Sequence, residues 1–263
     1  MSNTVLLIIL AICSYMFGNI NWAIIISKAK NKDIRNMGSG NPGTLNMSRN
    51  LGLKFGLLTF FLDIMKGVYP TLIAYLVFKD RSFVGTQFKV YDFAIYLCGL
   101  CAILGHIYPV VFKFKGGKGI ATTIGVFMVC EPIYGIEWGI VVFMALIAAG
   151  VFIYLTEFGA MGSFIAITPP AIASLIKLYL IYSTSTDINT IYFYTATNTL
   201  IFAICFFTWF AHRKNIERML AGEEHPTSIK EMVIKMKAKK AQAKAEKEQA
   251  EKEQSENSNS QQN

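Results

Sequence analysis

The sequence predicts an all-α integral membrane protein with about seven transmembrane helices. Of its 263 residues, 53% are hydrophobic, and the mean hydropathy is +0.41. Several apolar stretches approach about 20 residues, the length that a helix needs to cross a hydrocarbon core about 30 Å thick. Because a soluble domain of this size has no need of such stretches, we expect one domain in the bilayer.

Seven apolar segments follow one another along the chain. The first lacks a basic leader and a clear small-residue cleavage site, so we expect a retained helix rather than a removed signal peptide. The fourth is short and contains Glu131 and Pro132, which indicates a tilted or only partly spanning helix. The approximate segments are 4–27, 56–78, 91–112, 119–135, 138–156, 161–182 and 190–211.

The basic residues predict how the chain crosses the membrane. The formal net charge is +8, and lysine and arginine concentrate in connections 28–55 and 113–118 and just after the last segment. The alternate connections are poorer in basic residues. Since basic loops favour the cytoplasmic side, we expect the N-terminus outside, the C-terminus in the cytoplasm and the three basic connections on one cytoplasmic face.

Composition divides the chain into a membrane domain, 1–225, and a tail, 226–263. The tail begins with apolar residues at helical spacing beside several lysines, which predicts a short helix on an anionic membrane surface. Beyond about residue 245 the composition is too polar to form a core, so we expect disorder and no catalytic role. The apolar residues at helical spacing are Ile229, Met232, Val233 and Met236.

All five cysteines lie inside apolar runs. Cys98 and Cys101 form a C-x-x-C pattern, but on a predicted membrane helix with neither a second pair nor a nearby histidine. We therefore interpret them as packing residues and not as a redox or zinc site.

The first polar motif, GSGNPGTLNMSRNLG, occupies residues 38–52. Ser39, Asn41 and Asn46 offer neutral hydrogen bonds to phosphate oxygens, and Arg49 offers a charged, bidentate fork. A flexible basic loop is the alternative interpretation, because glycine and asparagine are common in loops.

The second motif, KFKGGKGIATT, passes from a basic loop into an apolar helix at residues 113–123. Gly116, Gly117 and Gly119 free the backbone to point successive N–H groups at an anion, and Lys118 adds a positive charge. The spacing of a Walker A loop is absent. A tight basic turn between two helices is the alternative.

The third motif, HRKNIERMLAGEE, emerges from the last apolar segment at residues 212–224. His212 and Asn215 share one helix face at i, i+3 spacing, with Glu224 further along. Histidine is the usual general acid or base near neutral pH. A polar helix end at the membrane surface is the alternative.

Two further polar features lie inside apolar segments. Asp63 and Lys66 are spaced i, i+3, so a structural salt bridge is the favoured interpretation and a lysine that faces the site is the alternative. His106 is interpreted first as a packed, hydrogen-bonded histidine. The predicted topology places the three motifs on one membrane face, where they combine phosphate-binding groups, a proton-handling histidine and access for a lipid chain.

These three motifs, in this order and together with DIMKG at 63–67, resemble the three cytoplasmic signatures of the bacterial acyl-phosphate:glycerol-3-phosphate acyltransferases, the PlsY family. The resemblance covers roughly residues 1–225. It implies transfer of a fatty acyl chain from acyl phosphate to the sn-1 hydroxyl of glycerol 3-phosphate, the first step of phospholipid synthesis. The products would be lysophosphatidic acid and phosphate.

The resemblance also implies a setting: the bacterial cell membrane, an active site on its cytoplasmic face, and neither a metal nor another cofactor. Acyl-CoA and acyl carrier protein would not be direct donors, and nucleic acid would not be a partner. A transient contact with the soluble enzyme that makes acyl phosphate is compatible with this reaction.

Residue by residue, the resemblance assigns roles to the positions that match. Ser39, Arg49, Lys118, His212 and Asn215 correspond to the catalytic set. The phosphate-binding set comprises Asn41, Asn46, Gly116, Gly117 and Gly119, and Glu224 corresponds to a glutamate that supports the structure.

The chain departs from the family pattern at several positions. Leu45 stands where the first motif commonly has a hydroxyl, although Thr44 is adjacent. In the connection before the sixth segment, Glu157 and Ala160 replace an arginine and a serine, and Ser163 remains. These changes affect the expected details of phosphate contact.

Two rival functions and one mechanistic choice stay open at this stage. An organic-phosphate transporter would also use basic nests, but no repeated halves are visible. A CDP-alcohol phosphotransferase would need a cluster of metal-binding carboxylates, which the sequence does not show on the predicted cytoplasmic face. Within the acyltransferase hypothesis, either His212 or the leaving phosphate accepts the hydroxyl proton.

Overall fold

The computed structural model describes residues 1–223, 226–227, 229–234, 238 and 241–242. Over these residues the protein is helical and contains no β-strand, which confirms the all-α prediction. The α-helices are α1 (Asn3–Gly18), α2 (Trp22–Lys28), α3 (Thr44–Leu51), α4 (Leu53–Phe78), α5 (Val90–Ile107), α6 (Ile120–Cys130), α7 (Ile136–Thr156), α8 (Gly159–Tyr182), α9 (Ile188–Ala211) and α10 (Arg213–Leu220).

In the described part of the chain, six stretches are long and apolar enough to cross a membrane. They are α1 with α2, α4, α5 with the turn that follows it, α7, α8 and α9. The fourth predicted segment is shorter than the others. Its helix, α6, has 11 residues, which at 1.5 Å per residue cover only about 17 Å, roughly half of the hydrocarbon core. Pro132, which cannot continue the helical hydrogen bonds, begins a separate 3-10 turn.

Helix α5 lies at the centre of the bundle. It packs against α1, α4, α6 and α9, and 61% of its most apolar 18-residue stretch is buried inside the protein. Helix α7 is peripheral and packs mainly on α8. Its exposed Phe143, Met144 and Leu155 suit a hydrocarbon solvent, in which apolar side chains incur no penalty for exposure.

Helices α4 and α6 approach so closely that their backbones touch. A Cβ on Gly67 would lie 2.0 Å from the carbonyl oxygen of Thr122, and one on Gly125 would lie 2.1 Å from that of Ile64. Small residues permit this contact between membrane helices. As a result, the start of α6 is placed against the helix that carries Lys66.

The three polar motifs meet at one end of the bundle. Phe112, just before the glycine-rich loop, packs on the cluster that includes Ile34 and Met47 of the first motif region. Lys118 of the second motif contacts Asn215 of the third. We call this end of the bundle the motif end. That it faces the cytoplasm stays a prediction, as does the orientation of the chain.

The chain divides into two compact units, Met1–Thr227 and Ser228–Asn263. In the second unit, residues 229–234 are helical. Met236 and most of the neighbouring lysines of the predicted surface helix lie outside the described residues, so that helix stays a prediction.

Candidate active site

The first motif is organised by the side chain of Asn46. The Asn46 amide nitrogen donates to the carbonyl oxygens of Met37 (2.9 Å) and Ile34 (3.2 Å), and its oxygen accepts from the Ser39 N–H (3.2 Å) and the Asn50 amide (2.9 Å). Asn46 is 2% exposed. Its amide therefore holds the loop that presents Ser39, and direct contact between Asn46 and a phosphate stays a prediction.

Ser39 lies on the surface of this loop, and Asn41 is half-buried beside it. The Ser39 hydroxyl is 3.5 Å from the N–H of Asn41. Gly38 adopts a φ of +55°, and a Cβ there would lie 2.5 Å from the Asn46 oxygen. The loop therefore needs glycine at this position to keep the hydrogen bond from the Ser39 N–H to the Asn46 side chain.

Arg49 extends from α3 to the end of the membrane unit. Its guanidinium donates to the carbonyl oxygens of Pro226 (2.7 Å) and Thr227 (3.2 Å). The Thr227 N–H donates to the Glu157 carbonyl oxygen. Arg49 thus connects the first motif to residues that follow the third motif, a contact 178 positions apart in the chain that no local pattern predicts.

The glycine-rich loop uses part of its backbone to close onto α5. The N–H groups of Gly116 and Gly117 donate to the carbonyl oxygens of Ile107 and His106, at 3.1 Å each. Two of the N–H groups expected to bind phosphate therefore have acceptors inside the protein. The anion-binding capacity near this loop lies in Lys118 and in the first N–H groups of α6, which have no intrahelical acceptor.

The second and third motifs are joined by a hydrogen bond from the Lys118 ammonium to the side-chain oxygen of Asn215. Asn215 lies in the first turn of α10, three positions after His212 at the end of α9. The sequence predicted that His212 and Asn215 share a face. The structure adds that this face meets the lysine of the glycine-rich loop.

His212 is buried, with 2% of its surface exposed, and its tautomer follows from its contacts. Nδ1 lies 2.8 Å from the carbonyl oxygen of Thr208. Because a carbonyl oxygen only accepts, Nδ1 carries the hydrogen and Nε2 holds a lone pair. Phe164 packs edge-on against the ring, which helps to fix its orientation.

Burial lowers the pKa of His212 to about 4, and the positive charge of Lys118 contributes in the same direction. The hydrogen bond with the Thr208 carbonyl opposes the shift. His212 is therefore neutral at physiological pH and can accept a hydrogen bond at Nε2.

A buried ionic network lies under the glycine-rich loop. The Lys66 ammonium contacts Asp63 at 2.9 Å, the Ile20 carbonyl oxygen at 2.8 Å and Nδ1 of His106 at 2.7 Å. The predicted Asp63–Lys66 salt bridge is confirmed, and His106 is packed and hydrogen-bonded as expected. The link between them, 40 positions apart, has no signature in the sequence.

A second buried ion pair, Lys177–Glu131, was not predicted from the sequence. Lys177 of α8 contacts Glu131 at 3.1 Å and the Cys130 carbonyl oxygen at 3.2 Å, and Ser174 also donates to Glu131. The ammonium lies 4.0 Å from the ring centroid of Tyr134. An ionisable residue in each of two apolar segments was the available signal, since such residues are costly unless paired.

Leu45 and Ala160, which depart from the family pattern, and the retained Ser163 lie near the start of α8. Leu45 lies where a Cβ on Gly159 would meet it at 3.0 Å, Ala160 is buried, and the Ser163 hydroxyl donates to the Gly159 carbonyl oxygen at 2.8 Å. Glu224, predicted to support the structure, lies outside the described residues.

An apolar groove of about 400 Å³ lies between α1 and α4. The Lys66 ammonium of the buried network also lies 3.5 Å from the Gly18 carbonyl oxygen. Two residues of the groove wall are close to this contact in the chain: Phe17 directly precedes Gly18, and Tyr69 lies three positions after Lys66. One end of the groove therefore lies near the level of that network. It is lined by Leu10, Cys13, Ser14, Phe17, Tyr69, Pro70 and Ile73.

Comparison with known proteins identifies relatives over nearly the whole membrane unit. The family model described as glycerol-3-phosphate acyltransferase matches residues 8–222. A protein of that name from Aquifex aeolicus (strain VF5) is 35% identical over 217 residues, which cover 82% of this chain and 96% of the relative. Another, from Finegoldia magna, is 38% identical over 223 residues, 84% of this chain and 96% of the relative.

The fold also resembles two crystal structures of PlsY (YgiH), described as an integral membrane glycerol 3-phosphate acyltransferase. One is the glycerol 3-phosphate form and the other the lysophosphatidic acid form, with TM-scores of 0.60 and 0.58. Each is 32% identical to this chain and covers 84% of it and 94% of the PlsY chain.

The neutral, buried state of His212 makes stability depend on pH. Between its ordinary pKa of 6.5 and its folded pKa of about 4, the unfolded chain binds a proton that the folded site does not. The free energy of unfolding therefore decreases as pH falls through this window, by up to about 3 kcal/mol. We expect a smaller decrease for His212→Gln than for the wild type, measured by thermal unfolding in detergent micelles between pH 7.5 and 4. Equal pH slopes for the two proteins would contradict this assignment.

Proposed function

Since the chain belongs to the glycerol-3-phosphate acyltransferase family and is of the PlsY type, we propose that it uses acyl phosphate as its donor. The acyl chain passes to the sn-1 hydroxyl of glycerol 3-phosphate, and the products are 1-acyl-glycerol 3-phosphate and phosphate. The observation that carries this proposal is the meeting of Lys118, Asn215 and neutral His212 at the motif end.

The charged and polar groups of the motif end suit two phosphates. Lys118 supplies a positive charge beside the first turn of α6. Arg49, on α3 of the motif end, supplies a second positive charge. In the proposal, Ser39, Asn41 and Asn215 orient the phosphate oxygens. Bringing two anions together is the main electrostatic cost of this reaction, and fixed cations and N–H groups reduce it.

The acyl chain of the donor needs an apolar place that is open to the bilayer. The groove between α1 and α4 has that character. Phe17 in its wall directly precedes Gly18, whose carbonyl oxygen lies near the Lys66 ammonium. We assign the acyl chain to this groove. Its phosphate end then points toward the glycine-rich loop above the buried network.

Acyl phosphate is an activated mixed anhydride, so the reaction needs no covalent enzyme intermediate. The sn-1 hydroxyl oxygen attacks the carbonyl carbon of the donor, a new C–O ester bond forms, and the bond between that carbon and the phosphate oxygen breaks. The protein contributes positioning and charge stabilisation.

The proton of the hydroxyl has two candidate acceptors. With a pKa of about 4, His212 is a weak base in the free protein, whereas the leaving phosphate gains negative charge as the proton is released. We propose that His212 accepts a hydrogen bond at Nε2 and orients the hydroxyl, and that the leaving phosphate takes the proton.

Location and partners follow the same proposal. The basic residues of the motif-end connections, including Lys113, Lys115 and Lys118, favour the cytoplasmic side of the bacterial cell membrane. Acyl phosphate would then come from a soluble enzyme that contacts this face transiently. Labelling of a cysteine introduced at exposed Lys115, in intact cells and in inverted vesicles, tests the side.

Phosphate release tests the reaction. Purified protein in lipid, given palmitoyl phosphate, should release phosphate only when glycerol 3-phosphate is added, and lysophosphatidic acid should form in equal amount. Lys118→Ala should decrease turnover by about 10²-fold or more, because it removes the charge at the proposed phosphate site. If folded wild-type protein releases no phosphate with several acyl phosphates, the proposal fails, and transport of organic phosphates into sealed vesicles would be examined next.

His212→Gln separates the two proton routes. If His212 orients the hydroxyl, the variant should raise KM for glycerol 3-phosphate and decrease kcat by less than about 10²-fold, because glutamine still offers polar atoms to the substrate. Steady-state kinetics with both substrates varied provide the measurement. A larger decrease in kcat at unchanged KM would instead identify His212 as the general base.

A further inference from the structure

The buried network of Asp63, Lys66 and His106 touches the glycine-rich loop. We propose that His106 is a positioning residue: Lys66 and Asp63 hold its ring, and the ring sets the path of the loop and the place of Lys118. This inference rests on the proposed function, because it concerns the same phosphate site.

The orientation of His106 is determined by a charge inside the membrane. The side chain of Lys66 is 1% exposed and that of Asp63 is 4% exposed. An ammonium only donates, so Nδ1 of His106, at 2.7 Å, accepts from it and the hydrogen of the neutral ring lies on Nε2. Because a buried charge is costly to leave without partners, the network resists any rotation of the ring.

The ring occupies the space beside Gly117 in which a side chain would lie. A Cβ on Gly117 would be 2.2 Å from Nε2 of His106, 3.0 Å from Cε1 and 3.2 Å from Cδ2, so its three nearest atoms all belong to this ring. The carbonyl oxygen of His106 also accepts the Gly117 N–H at 3.1 Å. His106 therefore holds Gly117 with both its side chain and its backbone.

The position of Lys118 depends directly on that of Gly117. Lys118 is the next residue, and its ammonium reaches Asn215 of the third motif. A displacement of about 1 Å in a substrate-positioning group can decrease an enzyme's rate by about 10²-fold. The network inside the membrane thereby acts on the substrate phosphate without contacting it.

The second buried ion pair provides a matched control. Lys177 is 2% exposed and contacts a carboxylate, as Lys66 does, but its partners are Cys130 and Glu131 at the end of α6 and Tyr134 in the turn that follows. Substituting either lysine with methionine leaves one buried carboxylate without its ammonium. The two substitutions should therefore cost similar stability and differ only in what they do to the loop.

Kinetics of Lys66→Met and Lys177→Met in lipid test the role. Both variants should unfold at lower temperature. Only Lys66→Met should raise KM for glycerol 3-phosphate, by about tenfold or more, because the loop shifts and misplaces the phosphate-binding Lys118. Equal changes in KM for both variants would show a general loss of structure, and an unchanged KM for Lys66→Met would show that the network does not position the loop. Either result overturns the proposal.

A double-mutant cycle tests the contact itself. Gly117→Ala should decrease kcat/KM by about tenfold or more in the wild type and much less in a His106→Asn background, where the shorter side chain leaves room for the added methyl group. Gly116→Ala is the control, because its Cβ would meet the backbone oxygen of His106 at 2.0 Å, which His106→Asn does not remove. Its cost should be the same in both backgrounds.

An equal cost of Gly117→Ala in both backgrounds would overturn the proposal. If His106→Asn does not fold, as judged by thermal unfolding, the comparison of the two lysine variants decides alone. Turnover by the wild type separates this inference from the function on which it rests. An inactive wild type refutes the function, whereas an active wild type without the coupling refutes only the positioning role.

Discussion

The charge of Lys66, inside the membrane-spanning part of α4, is the constraint on which the motif end depends. In a hydrocarbon environment an ammonium needs partners. Lys66 has three: Asp63 one turn earlier on the same helix, the Ile20 carbonyl oxygen and His106. Ile20 lies where α1 has ended at Gly18 and α2 has not yet begun. The break in the first span exposes carbonyl oxygens, and the buried lysine satisfies them.

The bilayer also determines where the chemistry lies. Irregular backbone is tolerated in a membrane only where protein or water satisfies its polar groups, so the three motifs occupy helix ends. Each end is held by a different device: the amide of Asn46 in the first, backbone hydrogen bonds to α5 in the second, and the Lys118–Asn215 contact in the third. The close contact of Gly67 and Gly125 then aligns α6 with the network below it. The proposed phosphate site is thus built on rigid helices, which suits a reaction that needs positioning more than chemical groups.

Local pattern was enough to predict the long apolar spans, the Asp63–Lys66 pair and the shared face of His212 and Asn215, because each depends on composition or spacing within one segment. The break between α1 and α2 inside the first predicted segment, 4–27, was not predicted. Local pattern was also not enough for contacts between distant segments. The commitment of the Gly116 and Gly117 N–H groups to α5, and the pairing of Lys177 with Glu131, arise only when helices pack. The short fourth segment, by contrast, was predictable from Glu131 and Pro132 within it. Its helix ends after 11 residues at Cys130, just before these two residues.

The central claim is that the phosphates of the substrates bind where Lys118 meets Asn215. An experimental structure of the protein in lipid with glycerol 3-phosphate bound tests it most directly. We expect the phosphate within about 3 Å of the Lys118 ammonium. A phosphate bound at the opposite end of the bundle, near Tyr182 and Lys89, with the Lys118–Asn215 region empty, would contradict it.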